Sequence, residues 1–136
     1  MNMVNIQQSS ILLGVRFALA YGFYEPAIRK LEDIQSVADW FSTLGIPLSS
    51  PMAYITVGTE TLGIILLTLG LFTRWISLPL SVIMIVAIIT VHLPNGFSAA
   101  DGGYEIPLYY LIFLGILSSF GAGKISLDYF FAERRK

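Results

Sequence analysis

Residues 52–93 read MAYITVGTETLGIILLTLGLFTRWISLPLSVIMIVAIITVHL, two long apolar runs broken by Thr73-Arg74-Trp75. Each run is close to the ~20 residues that a helix needs to cross ~30 Å of hydrocarbon. Lipid offers nothing to a free backbone N–H or C=O, so runs of this kind cross as helices. The short polar break predicts a tight helical hairpin.

Two further apolar stretches flank the hairpin. The sequence therefore predicts an all-α fold: an integral-membrane four-helix transmembrane bundle forming one domain over residues 1–136, with spans at about 9–27, 52–72, 76–93 and 106–123. Composition points the same way. The chain is 55% hydrophobic and 12% charged, with a mean hydropathy of +0.73, whereas an average soluble domain is about a quarter charged. So small a soluble fold would have to cover a large surface with polar groups, and these residues do not suffice. A net charge of −1 leaves no basic field for phosphate, which excludes nucleic acid as a partner. The partner that remains is the lipid bilayer.

Cysteine is absent, which excludes disulfides, thiol relays, iron–sulfur clusters and thiolate metal sites. The single histidine, His92, excludes a multi-histidine zinc or haem site within one chain. Ala18-Leu19-Ala20 mimics a signal-peptide cleavage site, yet no Lys or Arg precedes the apolar run and Arg16 lies inside it, so the segment reads as a retained span. Arg74, Lys124, Arg134, Arg135 and Lys136 fall on one side of the bundle, against Arg29 and Lys30 on the other. That bias places both termini in the cytoplasm.

Between the first two spans, Leu31, Ile34, Ala38, Phe41 and Leu44 recur at helical spacing, with Glu32, Gln35, Ser36 and Asp39 on the other face. Gly45 and Pro47 end the pattern. This is a short amphipathic interfacial helix, lying on the outer membrane surface with Trp40 at headgroup level. A loop helix packed down to close the bundle fits the same pattern.

Ionisable groups inside a span are expensive and need a reason. Arg16 lies ~10 Å into the first span and Glu60 ~12 Å into the second from the opposite side, close enough for two long side chains to meet. Thr56, Glu60, Gly63, Leu67 and Gly70 share a stripe whose small residues admit a neighbouring helix, so Glu60 faces the bundle interior. An Arg16–Glu60 charge pair can fix helix register, or it can form a proton or ligand site. A second polar group gathers at the outer rim: Glu25, His92, Asn95, Asp101, Tyr104 and Glu105 come within reach of one outward-facing pocket. One histidine with carboxylates can hold a metal or relay a proton to a quinone headgroup, although a lone interfacial histidine is more often hydrogen-bonded structure. Copper(I) would need clustered thioethers or thiols, and the four methionines are scattered. Tyr21, Tyr24, Tyr104, Tyr109 and Tyr110 can stack on a quinone or form an interfacial aromatic belt.

The ordered set of these residues resembles the DoxX family of small bacterial four-span membrane proteins, from about Leu13 to Asp128. The likeness runs through Arg16, Arg29-Lys30-Leu31, Trp40-Phe41, Gly45-Ile46-Pro47 and Glu60-Thr61-Leu62-Gly63. It continues in Leu69-Gly70-Leu71 with Thr73-Arg74, His92 with Asn95-Gly96-Phe97, Gly102-Gly103-Tyr104-Glu105, and Gly121-Ala122-Gly123 before Ser126-Leu127-Asp128. Leu19–Ala27 and Glu105–Tyr110 look most like the HvfX-type branch. Ile64 stands where the family often has a second glycine, and Ala122 where it often has proline. Both departures touch packing more than chemistry.

The family name comes from an association with quinone-linked thiosulfate oxidation, and the branch is associated with modified, ribosomally made peptides linked to copper. The resemblance thus implies an accessory inner-membrane protein that assists a protein partner, such as a system maturing or exporting copper-binding peptides. Its alternative is a quinone- or metal-binding subunit of a membrane redox complex, working with a partner or as a homo-oligomer. No catalytic set maps onto the chain, so no thiosulfate:quinone activity is carried over. A transport path would need an oligomer, and no broken-helix pair is visible.

Overall fold

A computed structural model describes residues 3–136. Among these residues there is no strand, and six α-helices follow one another: α1 Met3–Glu32, α2 Ile34–Thr43, α3 Ser49–Leu69, α4 Thr73–Ala87, α5 Glu105–Phe120 and α6 Leu127–Arg134. A π-helical turn, Ile88–His92, and a 3-10 turn, Leu93–Asn95, prolong α4. By length and composition α1, α3 and the prolonged α4 are long and apolar enough to cross a membrane. The 16-residue α5 is apolar but rises only ~24 Å.

α1 packs on α3, α3 on α4, α4 on α5 and α5 on α1. The core is built from one stripe of each helix. Leu12, Val15, Leu19, Phe23 and Ala27 follow the three- and four-residue spacing of one α1 face, and Ile76, Leu80 and Met84 do so on α4. Leu67 from α3 and Leu114 and Leu117 from α5 complete it. The outer faces are apolar too, with Ile11, Ile65, Val82 and Ile112 exposed. Helices apolar all round suit a lipid environment.

The element boundaries differ from the sequence expectation in ways that matter for the site. α1 does not stop near Ala27. It runs through Pro26 to Glu32, because Ala27 is buried in the bundle and good helix formers follow it. Lys30 is therefore helical. Nor is Thr73-Arg74-Trp75 the hairpin loop. It is the first turn of α4, and the reversal falls on Gly70-Leu71-Phe72. Gly70 ends α3 in the left-handed region (φ 67°), where a side chain is disfavoured. Leu71 N–H bonds back to Leu66 O at 2.9 Å.

α2 has the predicted amphipathic pattern, with Asp33 as its N-cap: the Asp33 carboxylate accepts from Ser36 N–H at 3.1 Å. Its apolar face is not turned to lipid. Val37, Ala38 and Phe41 pack on Ala53 of α3, with Leu44, Ile46 and Met52 around them. Of the two sequence readings, the packed loop helix describes this contact.

Candidate functional site

The polar residues of the bundle interior lie in two separate places. At the end carrying the α3–α4 turn, Arg16 is 1% exposed and lies against Gly70. Its Nη2 donates to Ile125 O at 2.5 Å. Beside it, Asp128 at the start of α6 accepts from Phe72 N–H (2.8 Å) and Thr73 N–H (3.1 Å), while its own N–H bonds Gly70 O at 2.9 Å. Asp128 satisfies two of the free N–H groups at the start of α4. Arg16 and Asp128 thus tie α1, the α3–α4 turn and the C-terminal segment together.

Glu60 lies elsewhere. Ten residues separate it from Gly70 on α3, which is about 15 Å of helix rise. The expected Arg16–Glu60 pair is accordingly not formed. The reason is register: the close approach of Gly70 to Arg16 draws the end of α3 down to the level of Arg16, and carries Glu60 toward the α2 end. There the lengthened α1 delivers Lys30. Its Nζ donates to both Glu60 oxygens at 2.9 Å. Side-chain exposure is 3% for Glu60 and 25% for Lys30, so the pair is largely taken out of water.

This ion pair stands in the wall of a cavity of about 510 Å³ at the α2 end of the bundle. Every helix from α1 to α5 contributes. Phe23, Phe41, Met84 and Ile83 supply apolar wall, Thr56 and Thr59 bring hydroxyls from α3, Tyr110 rises from α5, and Trp40 comes from α2. Phe23 and Tyr110 pack with ring centroids 5.4 Å apart. A mostly apolar cavity with a few convergent polar groups has the character of a small-molecule site.

Of the six residues expected to form an outer pocket, His92 alone lines this cavity. Its Nδ1 donates to Gly102 O at 2.8 Å, and Asn95 Nδ2 donates to the same carbonyl at 3.3 Å. A carbonyl only accepts, so Nδ1 carries a proton. The other residues are drawn off by local structure. Glu25 is exposed and paired with Arg29 on its own helix. Glu105 accepts from Ala99 N–H at 3.1 Å. Tyr104 meets Phe97 edge to face, with centroids 5.5 Å apart, and Asp101 lies exposed in a 3-10 turn. The segment folds on itself through Tyr104 N–H to Gly96 O and Glu105 N–H to Phe97 O, both at 3.0 Å. Its polar side chains serve that turn rather than a shared pocket. Among the described residues, no group of three or more His, Asp or Glu could hold a metal ion.

Lys30 is the residue that sequence reasoning passed over. A span ending near Ala27 leaves it with Arg29 among the charges on one side of the bundle. The signal was present, since Lys30 lies at helical spacing from Phe23 and Ala27 on the buried face of α1.

The DoxX family profile matches residues 11–93. An uncharacterized protein of Haemophilus influenzae is 34% identical over 121 residues, covering 86% of this chain and 80% of its own length. A second uncharacterized protein of the same organism is 40% identical over 85 residues, covering 60% of this chain and 63% of its own. The Bacillus subtilis protein named "Putative oxidoreductase CatD" is 29% identical over 114 residues, covering 84% of this chain and 81% of its own. No solved structure matches. With the family profile across more than half of its length, and helices of this length and apolarity, the chain belongs to the DoxX family of membrane proteins.

Proposed function

We propose that the chain binds a quinone-class molecule in the cavity at the α2 end, as a non-catalytic subunit or carrier beside a redox partner in the inner membrane. The observation that carries this reading is the Lys30–Glu60 pair set into an otherwise apolar cavity of about 510 Å³. Lys30 Nζ has three N–H donors and spends two on Glu60, which leaves one for a ring carbonyl. Thr56 and Thr59 offer hydroxyls, Tyr110 and Phe23 offer ring faces, and His92 stands at the rim. A quinone would supply reversible two-electron, two-proton chemistry. The residues here supply binding and orientation.

In this reading four helices cross the membrane and both termini are cytoplasmic. Two observations support it. α5 runs the length of the bundle, from Pro107 and Tyr110 at the cavity to Gly121 beside Arg74 at the other end. The basic residues at the α2 end are both matched by carboxylates, Arg29 by Glu25 and Lys30 by Glu60, whereas Arg74, Lys124, Arg134 and Arg135 gather at the end bearing the termini, as the positive-inside bias requires. The accessory role in copper-peptide maturation that a place in the HvfX-type branch implies draws no support from any contact among the described residues.

The test uses the two tryptophans. Trp40 lines the cavity, and Trp75 lies exposed in the first turn of α4. In nanodiscs, a short-chain benzoquinone is expected to quench the Trp40 fluorescence of a Trp75→Phe protein saturably. The Lys30→Met/Glu60→Gln double variant should lose that saturable component. Quenching that rises linearly and acts equally on Trp75 in a Trp40→Phe protein would overturn the proposal.

A further inference from the structure

α3 and α4 form a hairpin, yet they do not stay together along its length. Near the turn they touch closely. A Cβ on Gly63 would come 2.9 Å from Leu80 Cδ1, so the missing side chain is what lets the helices meet there. Toward the α2 end both helices turn a regular stripe to the cavity. On α3 it is Met52, Ile55, Thr56 and Thr59, and on α4 it is Pro79, Val82, Ile83 and Val86. Both stripes have the spacing of a single helix face. Facing helices whose inner stripes line one cavity have parted along that stretch. Pro79 lacks the N–H that would bind Trp75 O, which loosens α4 where the separation begins.

The gap is open to the outside. Ile55 and Val82 line the cavity and are also 57% and 58% exposed. Residues that are at once cavity wall and outer surface mark an opening. These two lie on helices long and apolar enough to cross a membrane, which also expose Leu62 and Ile65 on α3 and Leu78 and Ile85 on α4. In a hairpin that crosses a bilayer these apolar side chains meet acyl chains, and Thr56 and Thr59 are the polar groups nearest Ile55 on the cavity side.

We propose that the cleft between α3 and α4 is a lateral portal, through which a bilayer-dissolved ligand seats its polar head beside Lys30–Glu60 while its single hydrocarbon chain leaves between Ile55 and Val82 into the membrane. The inference rests on the binding proposed above and adds the substrate class: a one-chain amphiphile that arrives from the lipid, not a soluble molecule that arrives from water. The exposed positions at the portal are free to change without disturbing the core.

The chain has no cysteine, so a Val82→Cys protein carries one thiol, which benzyl methanethiosulfonate can cap and a reductant can free. Affinity in nanodiscs is measured for two probes, a decyl-chain benzoquinone and the same ring without its chain. Capping is expected to reduce the preference for the chain-bearing probe by about tenfold, a loss equal to the contacts of about two methylenes. Reduction should restore it. An Ile112→Cys protein, capped on the exposed face of α5 away from the cavity, should show no change. If both probes bind and capping at position 82 leaves their ratio unaltered, the portal is wrong and the binding site stands. If neither probe binds the uncapped protein, the binding proposal fails and takes the portal with it.

Discussion

Removing one partner of the Lys30–Glu60 pair should cost far more than removing both. Two unit charges about 4 Å apart attract by about 4 kcal/mol at an effective dielectric of 20, and breaking a buried pair typically costs about 3–5 kcal/mol because a charge is left without compensation. Lys30→Met leaves the Glu60 carboxylate, 3% exposed, with no cation against it. The expected loss is about 3 kcal/mol. Glu60→Gln should cost less, about 1–2 kcal/mol, since Lys30 keeps 25% exposure and a flexible stem that can reach polar surroundings. The double variant replaces the pair with neutral side chains of similar length and should fall within about 1 kcal/mol of the parent. The coupling energy is then about 3–5 kcal/mol. The assay is reversible unfolding in mixed detergent micelles, run as a double-variant cycle. An Arg16→Met/Glu60→Gln cycle is the control, and at about 15 Å separation it should be additive within about 0.5 kcal/mol. Coupling below about 0.5 kcal/mol for Lys30–Glu60, or greater coupling for Arg16–Glu60, would refute the register described here.

Further outcomes follow from the same geometry. Asp128→Ala frees the Phe72 and Thr73 N–H groups at once and should destabilise the fold by about 1–2 kcal/mol, whereas Asp128→Asn, which keeps an acceptor, should lose less by thermal melting. Gly70→Ala puts a side chain on a residue with φ 67° and into Arg16, so a loss above about 1 kcal/mol is expected in the same melts. Hydrogen bonds from Ser36 hold the Asp33 carboxyl below its ordinary range. A depressed folded value means the cap stabilises α2 above the unfolded pKa and is lost as pH falls through the folded one. Hydrogen-exchange protection of the α2 amides, taken relative to the intrinsic rate at each pH, should therefore fall in acid for the parent and lose that pH dependence in Asp33→Asn.

The sequence alone determined the solvent this chain folds in and the kind of element it uses. Four apolar stretches, few charges and lipid's inability to hydrogen-bond leave helices as the local solution, and residue spacing already identified the α2 amphipathic face and the inward stripe of α3 that carries Glu60. These are properties of single segments, decided by composition and period. Which charge meets which was not legible. That depends on how far α3 slides along α1, and the slide is set by Gly70 seating against Arg16 and by α1 continuing through Pro26, both consequences of packing between segments distant in sequence. The same holds for the rim. Glu25, Asp101, Tyr104 and Glu105 have the right residue types for a pocket, but local partners claim three of them and Asp101 stays out in its exposed turn, leaving His92 at the cavity. Period-3.6 patterns say which way a side chain faces around its own helix. The axial register between helices comes only from the close contacts of the assembled bundle, and that register put Lys30 rather than Arg16 beside Glu60.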